Sequence, residues 1–198
     1  MPKSIDYWRF FIAIELPPSV RHQIKSHIDR LRAEFPTVRA SWAREENIHL
    51  TLKFLGDTPV EKVQACSKAL KHAASKIAPF EMETSGCGAF PPHGQPKVLW
   101  IGISSEAQQE APLHKLYDAI EDECATDGFA RETRAFHPHL TIARLRHPQG
   151  ARRLAHVHKE IGFAPLSVRV QDVCLIRSEL SSEGSRYTVI SRHEFHCA

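Results

Sequence analysis

The sequence predicts an α+β fold with two lobes, each a mainly antiparallel sheet backed by outer helices. Strand-like and helix-like stretches mix without the strict strand-helix-strand repetition of a doubly wound sheet. The last strand pair reads as a hairpin, which favours antiparallel pairing. A short pattern, His-x-Thr followed by an aliphatic residue, occurs twice, at His49-Leu50-Thr51-Leu52 and at His139-Leu140-Thr141-Ile142, 90 residues apart. Each copy follows a helix and a turn, as in a chain built from two related halves. No linker or low-complexity segment separates them, so residues 1–198 are expected to form a single bilobal domain with its cleft between two sheets.

Phe10 to Ile14 reads as a buried first strand closed by Leu16-Pro17-Pro18, because proline cannot continue a ladder. A helix follows, with Ser19 as its expected N-cap and Val20, Ile24, Ile28 and Leu31 at helical spacing. Ala40 to Ala43 is a short edge strand, and Glu45-Glu46-Asn47 a turn into the first His-x-Thr strand, which Gly56-Asp57 ends. In that strand Leu50, Leu52 and Phe54 point to the core. Val60 to Ile77 is an amphipathic helix stopped by Pro79. Phe80 to Phe90 and Val98 to Ile103 are strands flanking a Pro- and Gly-rich loop. Pro112 suits a first helical turn, and Leu113, Leu116, Ile120 and Cys124 form the stripe of a helix ending near Gly128. After the second His-x-Thr strand, Ala151 to Ile161 is a short basic helix, with His156 and His158 on its solvated face. Leu166 to Glu179 and Arg186 to Phe195 are the last two strands, joined by Ser181-Ser182-Glu183-Gly184-Ser185.

Composition limits the function. The 26 basic and 23 acidic residues leave a net charge of +3, too even a balance for a strongly basic nucleic-acid surface, so an anionic ligand must be held locally. The five cysteines are scattered, without C-x-x-C spacing, and suggest neither a disulfide framework nor a zinc site; a reducing cytoplasm fits. The amino-terminal stretch has no long apolar run, so neither signal peptide nor membrane span is expected.

In a strand, residues two apart share a face. His49 with Thr51, and His139 with Thr141, thus each place one titratable ring and one hydroxyl on a polar face. Placed opposite each other, they supply an acid, a base and two donors to an oxyanion. His156 and His158 lack a third ligand at useful spacing, so no metal is expected. Lys53 shares the alternating face of His49 and could add charge at the cleft. His137 is read as structural, and Phe11 and Phe90 as core residues.

These motifs resemble the two signatures of the 2H phosphoesterase superfamily. More specifically, the chain resembles the bacterial and archaeal RNA 2′,3′-cyclic phosphodiesterases, often called 2′-5′ RNA ligases. Further stretches carry the likeness: Phe11-Ile12-Ala13-Ile14-Glu15-Leu16-Pro17, Asn47 to Gly56, Gly86-Cys87-Gly88-Ala89-Phe90-Pro91, Phe136 to Arg144, and Ser178-Glu179-Leu180. The resemblance implies a bilobal 2H phosphoesterase fold with pseudo-twofold symmetry and a metal-independent site with no cofactor. It implies hydrolysis of RNA 2′,3′-cyclic phosphate ends to 2′-phosphate, with His49 as acid and His139 as base, an order that the symmetry permits to be swapped. Thr51 and Thr141 would bind the phosphate, and Arg144 falls at the family's position for a phosphate- or base-contacting arginine. Simple alternation puts Arg144 on the wrong face, so a bulge or a strand end is needed. Joining of RNA ends through 2′-5′ bonds is the reverse reaction at the same site. The alternative is an idle RNA-end-binding module, which a missing His or Thr would mark; all four are present. The expected partner is RNA with cyclic ends, held by a monomer in the cytoplasm, away from membranes.

Overall fold

A strand whose residues are all apolar must have both faces covered, and the first strand meets that condition. β1 (Tyr7–Glu15) is buried continuously from Phe10 to Ile14. Phe10, Ile12 and Ile14 enter the main core, while Phe11 and Ala13 turn to a smaller cluster with Cys174 and Ile176. The computed structural model describes residues 6–104, 111–182 and 184–196. Among these are α1 (Pro18–Glu34), β2 (Ala40–Trp42), β3 (His49–Pro59), α2 (Val63–Ala74), β4 (Phe80–Phe90), β5 (Val98–Ser104), α3 (Pro112–Thr126), β6 (His139–Leu145), α4 (Ala151–Ile161), β7 (Ser167–Val170), β8 (Asp172–Ser181) and β9 (Gly184–Glu194). The class is α+β, as expected.

All strand pairs are antiparallel, in the order β7-β4-β5-β6-β3-β1-β8-β9, with β2 added to β6. Two four-stranded arrays, β9-β8-β1-β3 and β6-β5-β4-β7, meet at a single residue pair, Leu50 with Leu140. The halves exchange strands. After β1, α1, β3 and α2 the chain crosses to the far array as β4, and after β5, α3, β6 and α4 it returns as β8. This exchange repeats the order strand, helix, strand, helix, and underlies the pseudo-twofold relation.

Several local expectations are corrected. Ser19 does not cap α1: the helix starts at Pro18 behind Pro17, with no side-chain cap bond, because proline's fixed φ suits the first helical turn. β3 runs past Gly56-Asp57 to Pro59, since β1 continues to pair with it through Tyr7. The apolar run from Leu166 to Glu179 is two strands, broken at Gln171, that serve opposite arrays. Val60 to Lys62 is a 3₁₀ turn that leads into α2. The hairpin of β8 and β9 is present, and α4 has the expected bounds. No helix among the described residues is long and apolar enough to cross a membrane.

Two bulges orient the site strands. Ile12 pairs with Lys53 and Ala13 with Thr51, which skips Leu52; Leu99 pairs with Ala143 and Trp100 with Thr141, which skips Ile142. Two residues opposing one reverse the alternation beyond the bulge. On β3, Leu52 and Lys53 are therefore both buried and Phe54 turns out; on β6, Ile142 and Ala143 are buried and Arg144 turns out.

Candidate active site

The pairing of Leu50 with Leu140 arranges the two motifs. Both leucines are fully buried. By alternation the neighbours of each leucine take the opposite, polar face, and extending the antiparallel register by one residue sets His49 across from Thr141 and Thr51 across from His139. One face thus carries two imidazoles and two hydroxyls at the junction of the arrays.

Each ring is aimed by the backbone two residues before it. His49 Nδ1 lies 2.8 Å from the carbonyl of Asn47, and His139 Nδ1 lies 2.7 Å from that of His137. A carbonyl only accepts, so in both rings Nδ1 carries hydrogen and, in the neutral form, Nε2 has the free lone pair. Thr51 Oγ1 lies 3.0 Å from His49 Nε2 and donates to it. Asn47 is itself held by its side-chain amide, which donates to the Ser185 carbonyl at 2.8 Å, tying the turn to the β8–β9 hairpin.

Aromatic walls enclose the rings unequally. His49 stacks on Phe11 at 4.7 Å and meets the edge of Tyr187 at 5.3 Å. His139 meets Phe90 edge-on at 5.0 Å, and Phe90 leans on Trp100. Burial disfavours the imidazolium, so His49 is brought down to about 4, although the Asn47 carbonyl and Glu15 oppose the shift. His139 is also lowered, by burial first and then by the nearby Arg144 charge, against the His137 carbonyl.

Arg144 is exposed on the face of His139, because the bulge at Ile142 supplies the reversal that simple alternation lacks. The same device overturns two expectations on β3. Phe54, expected in the core, is 67% exposed beside Phe11, with ring centroids 6.1 Å apart. Lys53, considered for the cleft, is buried on the other face, where its ammonium meets both Glu121 oxygens at 2.8 Å and the Ala130 carbonyl. Glu121 also accepts from the Glu132 amide at 3.1 Å. This ion pair thereby anchors the segment that leads to His137, as does Phe136 stacked on Tyr117 at 4.1 Å.

Two glycines are required by close approach. A Cβ on Gly88 would fall 2.2 Å from the Trp100 ring, and one on Gly102, the residue paired with His139, would fall 2.3 Å from the Ser85 carbonyl. Of the two helical histidines read as solvated, His156 is exposed, but His158 is completely buried. Arg146 lines an open groove of about 720 Å³ with Arg32, Arg39 and His147, away from the histidine pair. Tyr187 and Asn47 are site neighbours that sequence reasoning misses, Tyr187 lying 138 residues from His49 with no local signal. Phe11 is in the core as expected and stacks on His49 from there, whereas Phe90, also expected in the core, is only half-buried beside His139, because it ends β4 at the edge of the site.

A model of the family described as the 2′-5′ RNA ligase superfamily matches residues 16–181. An RNA 2′,3′-cyclic phosphodiesterase of Thermotoga maritima is 31% identical over 188 residues, covering 94% of this chain and 95% of the relative. One of Methanothermobacter thermautotrophicus is 30% identical, covering 91% of this chain and 95% of the relative. Among solved structures, a protein of Thermus thermophilus aligns with a TM-score of 0.78 at 25% identity, covering 94% of this chain and 97% of its own. LigT of Escherichia coli complexed with 3′-AMP aligns at 0.70 and 25% identity, covering 96% of this chain and 98% of its own.

Proposed function

The chain belongs to the 2′-5′ RNA ligase superfamily, and from that premise we propose that it is an RNA 2′,3′-cyclic phosphodiesterase that opens cyclic ends to 2′-phosphates without a metal. Residues 1–198 act as one bilobal unit, and the enzyme works as a monomer on RNA in the cytoplasm. The observation that supports this best is the pairing of Leu50 with Leu140, which puts two His-x-Thr units on one face.

Opening the ring requires a base to take a proton from water on one side of phosphorus. It also requires an acid to protonate the leaving 3′ oxygen on the other side. His139 Nε2 is the base. His49 is the acid: it rests neutral in the free protein, and the bound phosphodiester anion, close to Nε2, draws a proton onto it. The Nδ1 bonds to the Asn47 and His137 carbonyls keep both Nε2 atoms directed at the reaction and stabilise the imidazolium when it forms. Thr51 and Thr141 donate to the non-bridging oxygens, whose charge grows in the transition state, and Arg144 adds a cation on the same face. These groups fill every role, so no metal is called for.

Water in large excess favours hydrolysis, while 2′-5′ joining opens the same ring with the 5′-hydroxyl of a second RNA end in place of water, the 3′ oxygen leaving in both. The test is an oligoribonucleotide with a 2′,3′-cyclic phosphate end, incubated with the protein in EDTA, followed by determination of the phosphate position. A 2′-phosphate product is expected. A 3′-phosphate as main product, or activity that requires a particular divalent ion, overturns the proposal.

A further inference from the structure

Three side chains that the reaction does not use converge where α1, α4 and β4 meet. His27 comes from α1, Cys87 from β4 and His158 from α4, and one potential ligand atom from each lies within 4.8 Å of the other two. His27 Nε2 is 3.0 Å from His158 Nδ1. His158 Nε2 is 3.0 Å from the Trp100 carbonyl, and since that carbonyl accepts, Nε2 carries hydrogen and Nδ1 presents its lone pair to His27. His158 is fully buried and His27 is 8% exposed.

We propose that His27, Cys87 and His158 form a structural site for Zn²⁺. Imidazole nitrogen and thiolate sulfur are the donors zinc prefers, and with three protein ligands in place of the four of a closed structural site a water completes the tetrahedron. Tetrahedral bonds of about 2.0 to 2.3 Å put neighbouring ligand atoms roughly 3.3 to 3.7 Å apart, so the three need to move only slightly to close on an ion. The hydrogen bond from His158 to the Trp100 carbonyl is the usual outer contact that fixes a ligating ring. On binding, the single ring hydrogen of His27 shifts from Nε2 to Nδ1, which frees the Nε2 lone pair for the ion, while the Cys87 thiol releases its proton to solvent. The centre then carries a net charge of +1.

The ion lies across the sheet from the histidine pair. Cys87 pairs with Ile101, whose side chain is in the core, whereas the next residue, Trp100, turns its ring toward Phe90 on the other face. Zinc here braces the backbone of Trp100, the partner of Thr141, and takes no part in proton transfer. Along the chain the three ligands are 60 and 71 residues apart, so spacing gives no hint of them.

The test is titration of the metal-free, reduced protein with Co²⁺ and, separately, Zn²⁺. One Co²⁺ per chain is expected, with a thiolate-to-cobalt charge-transfer band in the near ultraviolet that Zn²⁺ displaces. Cys87→Ser should abolish the band, and His27→Gln should weaken binding at least tenfold. Cys174→Ser and His139→Ala should leave the band in place. At about 100-fold excess over Kd, Zn²⁺ should raise the Tm of the wild type by about 5–10 °C and that of Cys87→Ser by much less. A folded wild type without the band, or a band that survives Cys87→Ser, overturns the proposal. Neither result bears on the phosphodiesterase reading, which is tested in EDTA.

Discussion

Leu50 pairs with Leu140, and each is the residue that follows its histidine. This one pair joins the two arrays, so the apolar members of both motifs hold the lobes together while their polar neighbours face the cleft. The same six residues, His49-Leu50-Thr51 and His139-Leu140-Thr141, thus contribute both to the junction of the arrays and to the polar face of the candidate site.

Replacing His49 or His139 by Ala is expected to lower kcat by about two or more orders of magnitude, the usual scale for a general acid or base. Circular dichroism verifies folding and initial rates on a cyclic-ended RNA give kcat. A folded variant of either kind with near-normal kcat would remove that histidine from the mechanism.

Thr51→Ala and Thr141→Ala are expected to cost less than the histidine variants. Each deletes one hydrogen bond to a charged oxygen, worth about 1.5–3 kcal/mol, which corresponds to roughly 10- to 150-fold in kcat/KM. Thr51→Ser should recover most of the loss, because it restores the hydroxyl. A serine variant no better than alanine would mean that the threonine methyl, and not the hydroxyl, matters.

The pH profile of kcat/KM reports the free enzyme and should be bell-shaped. Burial holds His49 at about 4 and keeps His139 below its ordinary 6.5. One histidine must be neutral and the other protonated, so both limbs should lie below 6.5 and kcat/KM should fall as pH rises above them. A bound phosphate favours imidazolium, so the limbs of the kcat profile should move up. A kcat/KM optimum above neutrality would contradict these shifts.

Lys53→Met is expected to destabilise the fold by about 3–5 kcal/mol, because it leaves the buried Glu121 carboxylate unpaired. For a chain of this size that lowers Tm by about 6–20 °C. Adding Glu121→Leu should recover much of the loss. If the double variant is as unstable as the single, the bonds from Lys53 to the Ala130 carbonyl and from the Glu132 amide to Glu121 carry the effect.

Arg144→Ala should raise KM for a cyclic-ended RNA and reduce the salt dependence of binding by about 0.7 in the log-log slope, the loss of one phosphate contact on a single strand. Binding titrations at several salt concentrations measure this. An unchanged slope would place Arg144 against a base or in solvent.

The sequence by itself determined the α+β class, most helices and strands, and the four polar residues of the paired motifs. Local periodicity suffices for these, since alternation and helical spacing are properties of a few consecutive residues. It also showed that Arg144 needs a bulge or a strand end to join His139, and the structure supplies the bulge. What only the tertiary structure decided was where bulges occur and what meets across the chain. A bulge arises from mismatch between neighbouring strands, so nothing within His49 to Phe54 reveals that Lys53 is buried against Glu121 and Phe54 is turned out. The same holds for Tyr187 against His49, for the division of the run at Gln171 between two arrays, and for His158, whose burial depends on α1 packing His27 against it. Such contacts join residues from tens to more than a hundred positions apart, and their energy comes from packing that a single segment does not encode.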